Sequence, residues 1–329
     1  SIPIRAEDIV GKVVAMSRDQ AGCRLLQQQL NDGNTRIRDL VFTECLPHFP
    51  MLMVHPFGNY LAQALVEHCD VAARLQILQA HLSHLVKAAL NLHGTRSVQK
   101  LVDVCRRPEE FDLIVTSLKP WVVHLATDAH GNHVLQRCLL NLPARHRSFI
   151  IEAVQEQCLV VARHRHGCCV LQRCLDAGTE AQKDALTAEI VQHAKLLSCD
   201  AFGNYVVQYV LEKGTWEQAK AIMSKLPGNM MHLCCHKFAS PVVEACLQIA
   251  DEHLRTELVR ELCAADTIGR LLSDCFGNYV VQRALMVSSE KLGLELVEAI
   301  RPHLQAVANT AGGRRIMARI AKKYPDVRL

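Results

Sequence analysis

The sequence predicts an all-α fold, a solenoid of eight three-helix repeats ending in a degenerate C-terminal copy. Three observations carry that expectation. The first is a recurring segment: Asp200-Ala-Phe-Gly-Asn-Tyr-Val-Val-Gln208 returns almost unchanged as Asp274-Cys-Phe-Gly-Asn-Tyr-Val-Val-Gln282, with six further variants. Its glycine position falls at Gly22, Gly58, Gly94, Gly131, Gly167, Gly203, Ala239 and Gly277, in steps of 36 to 38 residues. So regular a period marks stacked units that bury their faces against their neighbours. The second is helical spacing of apolar residues, as in Ala185, Leu186, Ile190, Val191, Ala194 and Leu197. The third is that no strand-type alternation competes. A length of 329 residues would ordinarily point to two domains. Repeat number sets the length of a solenoid, so 1–329 reads as one domain, with 300–329 as its cap.

The elements follow in order within one period. Around Gly203, a first helix is expected from Gln182 to Leu197. Asp200 is placed to N-cap a second, Phe202 to Leu211, which Gly214 ends. Thr215 caps a third through Leu226, and Pro227-Gly228 breaks the chain before the next repeat. Asp19, Asp128 and Asp274 hold the same cap position, with Asn91 close in kind. Pro47-His48-Phe49-Pro50 joins repeats 1 and 2. One extra residue between repeats 3 and 4, and two around Ala264 to Gly269 between repeats 7 and 8, read as surface-loop insertions. At the end, Asn309 to Met317 aligns with Asp274 to Gln282, placing Gly313 and Met317 where Asn278 and Gln282 stood. A copy that keeps the apolar frame and loses the polar pair is what a terminal cap requires.

Composition narrows the function classes. Half of the residues are hydrophobic and only 5% aromatic, so aliphatic residues, alanine and cysteine fill the core. The formal net charge of +4, from 37 basic and 33 acidic residues, is too mild for a partner held by phosphate contacts alone, but it permits a local basic face. None of the fifteen cysteines forms a Cys-x-x-Cys pair. Several, such as Cys138, Cys174 and Cys246, lie in apolar helical runs and read as reduced thiols packing as small hydrophobes, as in a cytosolic or nuclear protein. His164, His166, Cys168 and Cys169 have the residue types of a zinc site, but the repeat explains the two cysteines better. No stretch matches a membrane span or a signal peptide, and a chain opening at Ser1 reads as an excised domain. No Gly-rich phosphate loop, HExxH or cofactor motif is present, so neither an enzyme nor a cofactor is expected. His130, His166 and His236 read as structural or backbone-contacting, and Trp121 and Trp216 as packing residues.

The repeated segment divides by face. At about 100° per residue, with Asn204 at zero, Gln208 falls near 40° and Tyr205 near 100°, while Val206, Val207 and Val210 fall between about 200° and 300°. The valines are expected to point inward, and Asn, Gln and Tyr to share an exposed face in three rows. The first row reads Cys23, Asn59, Thr95, Asn132, Cys168, Asn204, Ser240, Asn278. The second reads Gln27, Gln63, Gln99, Gln136, Gln172, Gln208, Glu244, Gln282. The third reads Arg24, Tyr60, Arg96, His133, Cys169, Tyr205, Pro241, Tyr279. In one repeat these would be ordinary solvated residues. Over eight, positions facing only water should drift, yet the second row is glutamine in every repeat but one. Amides offer paired donors and acceptors, and flat cationic or aromatic groups stack on bases. One such set per repeat suits the reading of single-stranded bases.

On these rows, and on the segments Phe-Gly-Asn-Tyr-Val-Val-Gln, His-Lys-Phe-Ala-Ser and Gly-Cys-Cys-Val-Leu-Gln at this period, the chain resembles the Pumilio/PUF family of RNA-binding proteins over essentially its whole length. The resemblance implies a right-handed crescent with one base per repeat. It implies single-stranded RNA antiparallel along the concave face, with repeat 8 at the 5′ base. It further implies a monomeric cytoplasmic regulator of messenger RNA that binds 3′ untranslated regions, represses translation and promotes decay. Partners such as a deadenylase complex would sit on the convex face or the loop between repeats 7 and 8.

Base chemistry gives the expected element. Asn plus Gln complement the donor and acceptor of uracil in repeats 2, 4, 6 and 8. Cys23, Thr95 and Cys168 are small enough to admit adenine, whose N1 and N6 one glutamine amide can meet, in repeats 1, 3 and 5. Guanine presents two donors, which favour a carboxylate, and Glu244 with its small partner Ser240 supplies it in repeat 7. Read from repeat 8 to repeat 1, the element is UGUAUAUA. Cys169 and Pro241 are weak stacking platforms. Lys100, Arg137, Arg173 and Arg283 each follow the row glutamine by one position and would reach phosphates or acids of the next repeat. Other readings are an element one base longer with an ejected base, a nucleolar PUF-like factor handling ribosomal RNA, and a protein-binding armadillo or HEAT-type scaffold. The nucleolar factor would show broken triplets, and the scaffold would lack the glutamine and stacking rows.

Overall fold

The computed structural model describes residues 4–328, which are all-helical, with no strand among them. Each repeat runs as a lead helix, a short bridging helix and a row helix carrying the recurring segment. The row helices are α1 (Gln20–Asn31), α2 (Gly58–His68), α3 (Gly94–Val104), α4 (Gly131–Asn141), α5 (Gly167–Ala177), α6 (Gly203–Lys213), α7 (Ala239–Ile249), α8 (Gly277–Val287) and α9 (Ala311–Lys323). They pack as two compact units. The first takes the chain up to Gln157 together with Arg165–Lys183, and within it α1 to α5 lie side by side in order. The second takes Cys158–His164 and the chain from Asp184 on, and stacks α6 to α9 in the same way. Each unit is an α-solenoid whose core lies between the row helices and the helices that precede them.

Sequence explains the packing directly. Val206, Val207 and Val210 are buried as expected, and so are Cys138, Cys174 and Cys246. At Gly22, Gly58, Gly94, Gly131, Gly203 and Gly277 the recurring glycine sits where the row helix crosses the bridging helix six residues earlier. A Cβ at Gly203 would lie 2.9 Å from the Leu197 carbonyl oxygen, and at Gly94 it would be driven into that of Ala88. Glycine is the residue that permits so close a backbone approach. Gly228, at φ 81°, makes the break expected at Pro227-Gly228.

Several boundaries differ from expectation. The helix expected over Gln182 to Leu197 is two, Glu180–Gln192 and Ala194–Ser198, turning at His193. Both pieces bury the same side through Ile190, Ala194 and Leu197, so apolar spacing runs unbroken across the turn. The helix that Thr215 caps is Trp216–Met223 and stops short of Leu226. Its cap is reciprocal: Gln218 N–H donates to Thr215 Oγ1 at 3.3 Å, and Thr215 N–H donates to Gln218 Oε1 at 3.0 Å. The Pro47 to Pro50 stretch lies inside repeat 2, as a 3-10 turn at Leu46–His48 leading into the bridging helix Phe49–Val54. The extra residue before repeat 4 lies in a loop, Cys105 to Arg107. The two extra residues before repeat 8 do not, because the bridging helix Ala265–Ser273 absorbs them and grows to nine residues. Trp121 and Trp216 are 49% and 40% exposed, so neither is a core residue.

The C-terminal copy is in a different register from the one expected. Thr310 caps α9 by accepting from Gly313 N–H at 2.9 Å, and a Cβ on Gly313 would strike the Val307 carbonyl. Gly313 therefore takes the place of Gly277, a step of 36 residues. Arg314, Arg315 and Ala318 then stand where Asn278, Tyr279 and Gln282 stood. Gly312 and Gly313 are both glycines, and only the backbone crossing tells them apart.

Candidate nucleic-acid interface

In repeats 1 to 4 and 6 to 8, the start of the row helix is held by one side chain three residues before the glycine position. Asp200 Oδ1 accepts from Phe202 and Gly203 N–H, both at 2.9 Å. Asp128 and Asp274 do the same at 2.8 Å, and Asn91 at 2.9 and 3.0 Å. Asp19 accepts from Gly22 N–H at 2.8 Å. Histidine was not anticipated here, yet His55 Nδ1 accepts from Phe57 and Gly58 N–H at 3.2 and 3.1 Å, and His236 Nδ1 from Phe238 N–H at 3.2 Å. The position relative to the glycine would have identified both. His236 is thus backbone-contacting, as expected. Burial, with Arg18 and His93 nearby, lowers the His55 pKa and favours the neutral ring that this acceptor role needs. Asp200 also accepts from Arg163 Nε at 2.9 Å. Burial of Asp200 opposes its charge, but Arg163 and the two amides outweigh it and hold the carboxyl below its ordinary range.

The first row departs from expectation. Asn59, Asn132, Asn204 and Asn278 are 1–7% exposed, and Cys23, Thr95, Cys168 and Ser240 are buried too. A helical wheel gives angle but not height. These residues lie in the first turn, where the next repeat covers them: Cys23 Sγ donates to Phe57 O at 3.2 Å, Thr95 Oγ1 donates to His130 O at 3.0 Å, and Gly312 lies against Asn278. Each asparagine turns back on its own helix start. Asn59 Nδ2 donates to His55 O and Pro56 O, Asn132 to Asp128 O and Ala129 O, Asn204 to Asp200 O and Ala201 O, and Asn278 to Asp274 O.

That leaves each asparagine Oδ1 to receive the row glutamine. Nε2 of Gln63, Gln136, Gln208 and Gln282 donates to the asparagine one turn earlier at 3.1, 2.9, 3.0 and 3.0 Å. Gln99 donates to Thr95 Oγ1 at 3.1 Å and Gln27 to Cys23 Sγ at 3.3 Å. Gln172 and Glu244 are half-buried in the same row, and Gln282 is 4% exposed. Fixing Nε2 in this way orients the amide and leaves its Oε1 face and a second N–H for a partner, except at Gln282, whose Oε1 already accepts from Arg319 Nε at 3.1 Å.

The third row is exposed throughout, from Arg24, Arg96, His133, Cys169 and Pro241 to Tyr60, Tyr205 and Tyr279 at 49, 58 and 46%. In the first unit the structure brings the rows together across repeats. One open cavity of about 500 Å³ is lined by Thr95, Gln99 and Arg96 of repeat 3 and by His133 of repeat 4. Another, of about 360 Å³, gathers Cys23, Gln27, Arg24 and Tyr60. A slot lined by one edge pair and two flat groups from adjacent repeats has the dimensions and chemistry to take a planar heterocycle. In the second unit, the register of α9 adds a flat group that the sequence alignment missed. Arg315 Nη1 donates to Tyr279 Oη at 3.0 Å, and its guanidinium lies 5.8 Å from the ring centre.

Three of the four basic residues after the second row point back to the preceding repeat, not on to the next. Lys100 pairs with Glu67 at 3.2 Å, Arg137 with Asp103 at 3.5 Å and Arg283 with Glu244 at 3.5 Å. Arg173 pairs with Asp176 in its own helix at 3.2 Å. The residue types of a zinc site fare differently. Burial pushes the Cys168 thiol up to about 12, which disfavours the thiolate a metal needs, and its Sγ donates to Arg165 O at 3.4 Å. Among the described residues no three His, Cys, Asp or Glu side chains gather in metal-holding geometry, and no helix is long and apolar enough to cross a membrane.

Residues 11–267 match the model of the NOP9-like PUF repeat domain, and residues 268–300 that of the Pumilio-family RNA-binding repeat. A Pumilio domain-containing protein of Schizosaccharomyces pombe is 42% identical over 314 residues, covering 95% of this chain and 46% of that protein. Pumilio homolog 12 of Arabidopsis thaliana is 38% identical over 316 residues, covering 95% of this chain and 53% of its own. The chain thus spans about half the length of these relatives. Among solved structures, the Puf4 RNA-binding domain bound to the HO endonuclease RNA 3′ UTR recognition sequence is 38% identical, with a TM-score of 0.87 over 94% of this chain and 99% of that one. The RNA-binding domain of yeast Puf5p bound to SMX2 RNA is 27% identical, with a TM-score of 0.85 over 96% and 97%.

Proposed function

The chain belongs to the Pumilio (PUF) family of RNA-binding repeat proteins, whose fold is not that of an enzyme, and on that premise we propose that it reads single-stranded RNA one base per repeat along its three rows. The observation that carries the reading is the cavity at Thr95 and Gln99, where an oriented amide shares one lining with the flat groups Arg96 and His133. The glutamine supplies the main contact to a base edge, and the buried first-row residue acts beneath it. Asparagine orients the amide and narrows the slot, while cysteine, threonine or serine leaves room for a purine. The element read from repeat 8 to repeat 1 is UGUAUAUA, in 3′ untranslated regions of messenger RNA. The outcome would be repression and decay in the cytoplasm, through a recruited partner such as a deadenylase complex. The RNA-bound states of the similar Puf4 and Puf5p domains support the ligand class.

Selection of bound RNA from a random pool tests this. The selected consensus should begin UGUA and end UA, and S240N/E244Q should move the second base from G to U. An unchanged preference for G in the double variant would overturn the assignment. The match of 11–267 to the NOP9-like model favours one other reading, a factor for ribosomal RNA. It predicts selection of structured or degenerate sequence in place of that consensus.

A further inference from the structure

Glu244 is the one carboxylate in the second row, and it cannot be held as its neighbours are. A glutamine at this position fixes itself by donating Nε2–H to the residue one turn earlier, as Gln208 does to Asn204 at 3.0 Å. A carboxylate has no N–H to donate. The structure supplies a lateral holder from the next repeat. Arg283, on α8, places Nε 3.5 Å from Glu244 Oε2 and donates Nη1–H to Gln248 Oε1 at 3.2 Å. Glu244 and Gln248 lie one turn apart on α7, so the guanidinium is tethered at two points and set beside the carboxylate. Glu244 is 25% and Arg283 35% exposed, so the pair is only partly screened by water. The same reach recurs once on a row residue, where Arg319 Nε donates to Gln282 Oε1 at 3.1 Å.

We propose that Arg283 is a positioning residue that sets guanine specificity at repeat 7, by holding Glu244 as an oriented carboxylate from the repeat behind it. Guanine offers two parallel donors, N1–H and N2–H, and both are met only if the two carboxylate oxygens face the base. Arg283 lies against one side of the carboxylate and restrains rotation about its last bond. It touches Glu244 and not the base, so its removal leaves the edge chemistry present but unaligned. This inference rests on the reading of Glu244 as the guanine contact.

The test measures affinity for UGUAUAUA and for its second-base variants, with the wild-type chain, R283M, R283K and E244Q. R283M should lose on the order of five- to tenfold of the preference for G over A or U at the second base, the scale of one lost charge-assisted contact. Discrimination at the third base should stay as in wild type, and R283K should restore part of the loss. Melting curves for each variant check that the fold is kept. Wild-type second-base preference in R283M, or an equal loss of affinity for every RNA, would overturn the proposal, the latter by showing a phosphate contact. If E244Q also leaves the second-base preference unchanged, the base-reading assignment itself has failed, and that outcome is separate from failure at Arg283 alone.

Discussion

Asp200 does two jobs with one carboxylate, capping α6 through Oδ1 and holding Arg163 through Oδ2. Its pKa is lowered on folding, so it releases its proton more readily in the folded chain than in the unfolded one. The stability it adds is full above the unfolded value of 3.8 and is lost as the pH falls through the lower folded value. Asp200→Ala should cost about 1 kcal/mol in urea unfolding near neutral pH. Asp200→Asn, which keeps a capping oxygen, should cost less, and both variants should unfold with a weaker dependence on pH in the acid range. At this scale the sequence disclosed residue types better than their orientations. Asn204 and Gln208 were legible as a pair from their recurrence. The burial of Asn204 was not, because it depends on what the following repeat lays over the first turn. His55 was missed because a ring nitrogen replaced the side-chain oxygen that Asp19, Asn91, Asp128, Asp200 and Asp274 supply at this position.

Helices join across repeats through one buried ion pair as well as through apolar packing. Arg74, on the lead helix Val71–His81, donates Nε–H to Glu110 at 2.7 Å and Nη1–H to Cys69 O at 2.7 Å. Glu110, on the lead helix Pro108–Leu118, also accepts from Arg106 and Arg107 N–H at 2.8 and 3.0 Å. Burial raises the cost of its charge, but these amides and Arg74 outweigh it and lower its pKa. Arg74→Met keeps most of the packing but strands a buried carboxylate, so it should destabilise the first unit by about 3–5 kcal/mol, read as a shift of the urea midpoint. Nothing in the sequence marked this pair: the arginine recurs at the matching position as Arg38, Arg147 and Arg255, and only Arg74 meets an acid, Glu110, at that position of the next repeat, 36 residues on. The cap register failed for a related reason: the motif alone cannot choose between adjacent glycines, whereas the crossing of α9 over Val307 can.

For the molecule as a whole, a net charge of +4 and the pairing of its basic residues bear on how tightly salt controls binding. Lys100, Arg137 and Arg283 face carboxylates, and Arg319 faces a glutamine oxygen, so these four cations beside the second row are already partnered within the protein. Single-stranded binding loses about 0.7 in log K per tenfold salt for each phosphate neutralised. If edge contacts and stacking supply most of the affinity, the measured slope should be shallower than about −2. A slope near −5 would show that phosphates dominate. The fold class was legible at this scale because period and apolar spacing are properties of many residues together and survive local exceptions.

The backward reach of Lys100, Arg137, Arg283 and Arg319 bears on protein engineering. A reader for a chosen message is most simply assembled by exchanging whole periods cut at the glycines. Such a cut parts Glu244 from Arg283 and Gln282 from Arg319, since each holder belongs to the period after the one it serves. A transplanted guanine period should therefore perform as it does here only when the residue corresponding to Arg283 travels with it.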